Sequence, residues 1–394
     1  MKKALLASTA LVGAALLSAP AQAGTVGSGD NLAVTLSGFM WFQASWLDED
    51  NQSGFGRGHA FQIPETEIRI NATNTADNGI KYGVIIELET NTDISNNGDE
   101  VYAQLSGDFG TVQLGDQDSA TNTMLVGAFQ AHKGLAGPFG GLGSLLPVFH
   151  VQHVSSARRQ VLARTDWQNT TTTDATKIIY FSPRFSGFQV GASYTPDSGS
   201  NGASFTEPDN DGDFENVIDL GVNYTQKFDD FGISVSGLYQ FGEDEPVNGP
   251  TNAPVEDLNV WYIGAKADFA GFTIGANYTD FGDTHLTSAQ TAAGDESGWY
   301  WAAAVGYQQG PWGISAWYSE GETTYGNGSS ADVDETITRF GVGGRYAIAP
   351  GWQIRADYNY IEHENIAGST SVNSSAPFTT NESQAFILTN MFNF

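Results

Sequence analysis

The sequence predicts an all-β chain that folds as a transmembrane antiparallel β-barrel of about 16 strands. Three observations predict it. Hydrophobic residues alternate with period two, tight aromatic turns recur about every forty residues, and no stretch beyond the amino terminus is apolar enough for a transmembrane helix. Because only helices and closed barrels satisfy their backbone hydrogen bonds in lipid, any membrane span that such a chain makes must be built from strands.

Composition and charge exclude several classes of function. The chain has 394 residues, 45 acidic residues against 16 Lys and Arg, a formal net charge of −29, and no cysteine. Disulfides, thiolate zinc sites and cysteine nucleophiles are therefore excluded. A nucleic-acid partner is disfavoured as well, because phosphates require a basic surface.

The amino terminus has the form of a secretory signal peptide. Two lysines precede an apolar run over residues 4–17, and a small-x-small site ends at Ala23. Since a membrane-spanning helix needs about 20 residues, this run is too short to be one. We therefore expect a bacterial signal peptide over residues 1–23, cleavage between Ala23 and Gly24, and a barrel over residues 24–394.

Alternation assigns the two faces of the strands. Every charged residue falls on the polar face in four clear segments, which cover residues 67–72, 81–89, 339–346 and 352–360. Because successive strand side chains point to opposite sides, the apolar face is predicted to meet lipid and the charged face the lumen. The segments near Tyr262 and Trp301 are ambiguous, since both of their faces are apolar or small.

The turns supply the strand count. Short aromatic turns alternate with long loops rich in Asp, Asn, Gly and Ser, an asymmetry typical of outer-membrane barrels, and the aromatic residues suit a membrane interface. Sixteen strands leave an aqueous channel, whereas side chains fill a barrel of about eight. The predicted strands cover residues 31–45, 61–73, 80–90, 99–107, 111–116, 176–183, 188–196, 216–228, 232–241, 257–268, 272–281, 298–308, 312–320, 334–346, 352–361 and 382–394.

Three stretches carry a resemblance to a known family. They are Ile179–Phe188 with its Ser-Pro-Arg-Phe-Ser-Gly turn, Thr111–Asp116, and an amphipathic terminal strand that ends on Phe394. With them the chain resembles the Gram-negative general diffusion porins over nearly its whole mature length. The resemblance implies a homotrimer in the outer membrane, with lipid and lipopolysaccharide as partners. It also implies one pore per subunit and a third external loop folded inward to narrow that pore.

The insertion at residues 117–176 occupies the place of that inward loop. It contains a Gly-Pro-Phe-Gly-Gly turn, but Pro138 stands where some members of the family carry an acidic residue. No Asp or Glu occurs between residues 120 and 165, whereas the early strands are rich in Glu. We therefore predict a transverse electric field of partly inverted polarity, with a basic loop facing an acidic wall. Alternatively, the loop arginines clamp the loop to wall carboxylates.

The pore residues follow from the strand faces and from this loop. The net acidity favours a mild preference for cations, because an acidic mouth concentrates them. The residues assigned to the pore and its constriction are Glu65, Glu67, Arg69, Lys81, Glu87, Glu89, Asp116, Asp118, Lys133, Arg158, Arg159, Arg164, Arg339, Arg345, Arg355 and Asp357.

The predicted function is passive diffusion of ions and small hydrophilic solutes, with no cofactor and no catalytic residue. An acidic loop offers Asp209, Asp211 and Asp213 to a loosely bound Ca²⁺, although it departs from the EF-hand pattern at Phe214 and Leu220. Two alternatives stay open. One is a solute-specific channel with a saturable site, and the other is a non-conducting barrel with an adhesive or structural role.

Overall fold

The computed structural model describes residues 24–29, 32–50, 58–90, 98–138, 172, 175–199, 213–245, 254–325, 333–365 and 380–394. These residues form 18 strands, two short α-helices (α1, Ala120–Met124; α2, Ser288–Ala292) and one 3₁₀ turn (η1, Ala128–Gln130). The strands are β1 Gly24–Gly29, β2 Leu32–Glu49, β3 His59–Gln62, β4 Thr66–Thr75, β5 Lys81–Glu89, β6 Gly98–Gly107, β7 Gly110–Asp116, β8 Thr176–Phe181, β9 Phe188–Asp197, β10 Phe214–Phe228, β11 Phe231–Asp244, β12 Leu258–Phe269, β13 Phe272–Asp280, β14 Glu296–Gln309, β15 Trp312–Tyr325, β16 Val333–Ala349, β17 Trp352–Glu364 and β18 Thr380–Asn393.

The strands form one closed antiparallel sheet. β18 pairs with β2, and the backbones of Gly38 and Phe394 exchange two hydrogen bonds of 2.9 Å at this seam. Along its other edge, β2 pairs first with β4 and then with β3, so β3 and β4 are two parts of one barrel strand. β1 adds only a short hairpin to the start of β2. Sixteen strands therefore build the barrel, as the sequence predicts.

The faces of the strands are also as predicted. The outer surface is apolar, with Ile314 64%, Trp312 63% and Ile274 59% exposed, whereas Gln43 and Asn359 point inward. This arrangement suits a barrel with acyl chains outside. Among the residues that the structure describes, no helix is long and apolar enough to cross a membrane.

Aromatic side chains form two girdles on the outer face. Near the tight turns, Trp312 packs on Tyr346 with ring centroids 4.2 Å apart. Six residues further along β15, Tyr318 packs on Trp301 at 5.2 Å. Because a strand rises about 3.3 Å per residue, the girdles lie roughly 20 Å apart along the strand. Aromatic rings at both levels fit the two interfaces of a membrane.

The two ambiguous segments are resolved by the contents of the barrel. Tyr262 of β12 and Tyr300 of β14 point inward and are buried, whereas their neighbours Trp261 and Trp301 point outward. Both inward faces are apolar because they belong to a hydrophobic cluster with the segment that enters the barrel after β7. Hydrophobic alternation fails where the inner face meets protein instead of water.

Candidate pore constriction

The chain leaves β7 and runs along the inner wall of the barrel. Residues 117–138, here called the constriction segment, are the longest described part of the predicted loop, and they confirm that it folds inward. α1 packs on β9, β10 and β11, and η1 packs on β12, β13 and β14. Further on, Leu135 packs on Met391 of β18 and Trp41 of β2. The segment thus follows the wall for more than half of the circumference.

A buried carboxylate fixes the start of the constriction segment. Asp219 of β10 accepts hydrogen bonds from the Thr121 hydroxyl (2.6 Å), the Ser193 hydroxyl (2.9 Å) and the Gln240 amide (2.8 Å). The donors come from α1, β9 and β11, so one side chain ties the segment to three strands. Hydrogen bonds to a charged acceptor are the stronger kind, and burial makes their loss costly.

Polar side chains of the wall hold the middle of the segment through its backbone. The Val126 amide donates to the Ser236 hydroxyl at 3.1 Å, and the Tyr262 hydroxyl donates to the Val126 carbonyl at 2.8 Å. The Ala128 amide donates to Asn277 Oδ1 at 3.1 Å. These contacts satisfy backbone groups that would otherwise be buried without partners.

A second buried carboxylate fixes the far part of the segment. Asp357 accepts from the Leu135 amide at 2.9 Å through Oδ2, and its Oδ1 lies 2.8 Å from His132 Nε2. Arg355 Nη1 donates to the Gly134 carbonyl at 2.8 Å. Arg355 and Asp357 are only 4% and 1% exposed. Both residues therefore belong to the constriction, but as anchors beneath the segment.

Carboxylates gather on the opposite part of the inner wall. On β4 and β5, Glu67 faces Glu89, and Arg69 faces Glu87. Arg69 forms ion pairs with Glu87 and, at 3.4 Å, with Glu67. A register shift in β6 opposite Glu87 leaves Asp99 and Glu100 together at this place, as in a β-bulge. We call the carboxylates Glu65, Glu67, Glu87, Glu89, Asp99 and Glu100 the acidic wall.

Ligand oxygens of Glu67, Glu87 and Asp99 lie within 4.8 Å of one another. Such a group of carboxylates could hold a cation. Arg69 already supplies one positive charge to two of these three residues. We therefore treat these three carboxylates as part of the acidic wall and not as a separate metal site.

Positive charges lie together across the barrel. Lys133 of the constriction segment interacts electrostatically with Arg345 of β16 and Lys266 of β12, and we call these three residues the basic patch. Burial, together with Arg345, lowers the pKa of Lys133 below its ordinary value. With β3 and β4 counted as one, Lys266 of β12 lies half of the circumference from β4, and Arg345 of β16 lies a quarter of it away. Both stand nearer to the tight turns than Glu67 and Glu89 do.

Comparison with known proteins decides the family. The family model of Gram-negative porins matches residues 7–366. The chain belongs to the Gram-negative porin family. The porin is similar to uncharacterized proteins of Rickettsia typhi (24% identical, 96% of this chain and 97% of theirs) and Rickettsia bellii (25% identical, 92% and 93%).

Solved structures share the fold of this porin. It is similar to the anion-selective porin from Comamonas acidovorans, with a TM-score of 0.62, 16% identity, and coverage of 92% of this chain and 100% of that one. OmpT, an outer membrane protein of Vibrio cholerae in trimer form, gives a TM-score of 0.60, 15% identity, and coverage of 93% and 100%. The porin forms a water-filled channel in the outer membrane, and the resemblance seen in the sequence is confirmed.

The structure corrects one of the predicted pore residues. Asp116 lies on the outer face with Leu114, and it accepts a hydrogen bond from Thr176 at 2.5 Å. Its assignment to the pore is wrong, because the alternation of β7 places it opposite to the inward Gln113. Arg339 points inward as predicted and is buried, with its guanidinium 5.8 Å from the centroid of the Trp317 ring.

Three other predicted pore residues, Glu65, Lys81 and Asp118, lie at different levels of the barrel. Glu65, half-buried before β4, lies beside Glu67 and Glu89. Lys81 lies at the tight-turn end of β5, six residues from Glu87 and hence roughly 20 Å away. Asp118 opens the constriction segment, where it accepts from Asn122 Nδ2 at 3.0 Å, and burial raises its pKa.

Several predictions fall outside the described residues. Arg158, Arg159 and Arg164 lie there, and so do Asp209, Asp211 and Ala23. Asp213 is described just before β10, where its backbone carbonyl accepts from the Glu245 amide at 3.0 Å. Calcium binding by this loop and cleavage between Ala23 and Gly24 stay predictions.

Some residues that shape the site are absent from the predicted set. Asp219 anchors α1, and Asp99 and Glu100 enlarge the acidic wall. The signal for Asp219 was available, since it stands on the inward face of a strand whose outward neighbours are Ile218 and Leu220. Adjacent acidic residues at 99 and 100 violate alternation, which is the pattern that a bulge produces.

Proposed function

We propose that this porin is a passive channel whose constriction carries a transverse field of inverted polarity. The observation that supports it is the opposition of the acidic wall on β4–β6 to a basic patch that includes Lys133 of the constriction segment. Fixed charges of opposite sign on two sides of a pore orient polar solutes and their hydration water. An apolar solute would have to displace that oriented water, so the field favours ions and small hydrophilic solutes.

Such a channel performs no catalytic step. Carboxylates and guanidiniums act as static charges, and solutes move down their own gradients. Among the described residues, only Arg69 offsets the six carboxylates of the acidic wall, Asp268 pairs with Lys266 in the basic patch, and the acidic loops add to this excess of negative charge. We therefore expect a mild preference for cations over anions, since charges that line a pore set its ion preference. Loop charges contribute less, because screening over about 8–10 Å weakens them at the constriction.

The proposed assembly is a homotrimer surrounded by outer-membrane lipid and lipopolysaccharide. The Vibrio cholerae protein of similar fold is described in a trimer form, which supports this proposal. The two aromatic girdles support contact with lipid at both interfaces. A band on unboiled gels that falls to monomer mass after heating would test the trimer.

Single-channel recording in a planar bilayer tests the function. We expect stepwise conductance for the refolded porin, and in a KCl gradient a reversal potential whose sign indicates cation preference. Well-folded protein without conductance would contradict the channel and favour the adhesive or structural alternative. Block by one particular solute at low concentration would favour a saturable, solute-specific site. A reversal potential of anionic sign would overturn the proposed preference.

A further inference from the structure

The inner wall lacks side chains where the constriction segment lies on it. Six inward glycines, here called the glycine track, stand on six different strands of the part of the chain that the structure describes. A Cβ atom built on any of them would overlap the constriction segment. They are Gly191 of β9, Gly221 of β10, Gly264 of β12, Gly275 of β13, Gly306 of β14 and Gly343 of β16.

Most of these overlaps involve the backbone of the segment. The Cβ of residue 264 would meet the Val126 carbonyl, that of residue 306 the Ala131 carbonyl, and that of residue 343 the Gly134 amide at 2.6 Å. Backbone cannot rotate away as the end of a long side chain can. The whole segment would have to move toward the lumen to accommodate one methyl group, because a close-packed protein interior has no void to receive it.

Gly191 and Gly221 meet a side chain instead. They face each other directly across β9 and β10, and the thioether of Met124 enters the slot between them. A Cβ on Gly221 would lie 2.8 Å from Met124 Sδ. Met124 is 2% exposed, so its side chain is buried in this slot.

Polar residues alternate with the glycines along this path. Ser236 pairs with Gly264 across β11 and β12, and Ser315 lies between Gly306 and Gly343 on β15. Ser236 and Ser315 accept hydrogen bonds from the Val126 and Lys133 amides, at 3.1 and 2.7 Å. The wall therefore offers a groove with room for backbone and with acceptors at intervals. Phe129 and Lys133 of the same segment are half-buried, with Phe129 packed against the hydrophobic cluster of the wall.

We propose that the glycine track sets the bore of the channel, as a row of positioning residues that seat the constriction segment against the wall. The inference rests on the proposed channel function and adds residues that determine its size limit. Each glycine keeps the segment about one methyl group closer to the wall than any other residue would. Pore diameter is one of the properties that govern which solutes pass.

Single alanine variants test the proposal against matched controls. Gly264→Ala and Gly306→Ala should each lower single-channel conductance, by about a factor of two for a backbone shift of this size, and slow the entry of larger sugars into liposomes. Gly232→Ala is the control on an inward face, where the new Cβ would have its nearest contact at 3.5 Å. Gly237→Ala is the control on the outer face, with its nearest contact at 3.9 Å. Both controls should conduct as the wild type does.

A rescue experiment separates seating of the segment from general loss of folding. Gly221→Ala should lower conductance, and adding Met124→Ala should restore it to the level of Met124→Ala alone, because the thioether that obstructs the new methyl group is gone. Folding of each variant is checked by the heat-dependent shift on gels. Unchanged or increased conductance in folded Gly264→Ala and Gly306→Ala would overturn the proposal, and so would a Gly221→Ala effect that persists without Met124. A wild-type protein that does not conduct would instead overturn the proposed function.

Discussion

The two sides of the inner wall use charge differently. On β4–β6, Glu67 and Glu87 pair with Arg69, whose side chain is 42% exposed, while their own side chains are only 11% and 3% exposed. Along β10 and β17, Asp219 and Asp357 are buried and hold the constriction segment. Both sides are therefore largely buried, and they differ in partner: Asp219 and Asp357 accept from the constriction segment, whereas Glu67 and Glu87 pair with Arg69.

The difference between the two sides also separates the features that the sequence predicts from those that it does not. Period-two alternation and the turn spacing predicted the sixteen strands, because both follow from backbone geometry alone. Alternation also predicted that Arg355 and Asp357 point inward, but it could not show that they are covered. What covers them is a segment more than 200 residues away in sequence, and its path depends on tertiary packing.

Local exceptions to alternation caused the remaining differences. Asp116 carries a charge at the end of β7, but it has the parity of Leu114 and therefore stands on the outer face. The bulge in β6 brings Asp99 to the acidic wall against the parity of its strand. Alternation loses its meaning where one strand gains an extra residue.

The largest expected effect is on an anchor. Asp219→Ala removes the acceptor of three buried hydrogen bonds, and we expect a loss of about 3 kcal/mol in the free energy of unfolding. Release of α1 should also make the open-channel current noisier. Asp268→Ala is the matched control, because this carboxylate is 43% exposed and makes a 3.1 Å ion pair with Lys266. It should cost no more than about 1 kcal/mol. Equal losses in the two variants, measured by urea titration, would show that the anchor has no special role.

Removing charge from the acidic wall should not lower the stability of the protein, unlike the loss of the Asp219 anchor. Glu67 and Glu89 face each other across β4 and β5 with the same charge, which is unfavourable in a sheet. Glu67→Gln combined with Glu89→Gln should therefore leave stability equal or raise it by about 0.5 kcal/mol. The same urea titration measures it. A marked loss of stability would mean that these carboxylates hold the wall together, as the buried anchors do.

The smallest expected effect is a pH dependence of the basic patch. Burial and Arg345 lower the pKa of Lys133. Its positive charge is therefore lost at a lower pH than that of an ordinary lysine, whose pKa is about 10.4. Raising the pH through this range removes a cation from the constriction, so cation preference should increase. Reversal potentials between pH 7 and 10 measure it, and Lys133→Gln should lack that increment. An identical pH profile in wild type and variant would assign the titration elsewhere.

The most direct test of the inverted field is the reversal potential in a KCl gradient after each side is neutralised separately. Glu67→Gln with Glu89→Gln should shift it toward anions, and Lys133→Gln should shift it toward cations, because the two sides carry opposite charges. Shifts in the same direction, or no shift in either variant, would contradict an acidic wall that faces a basic constriction segment.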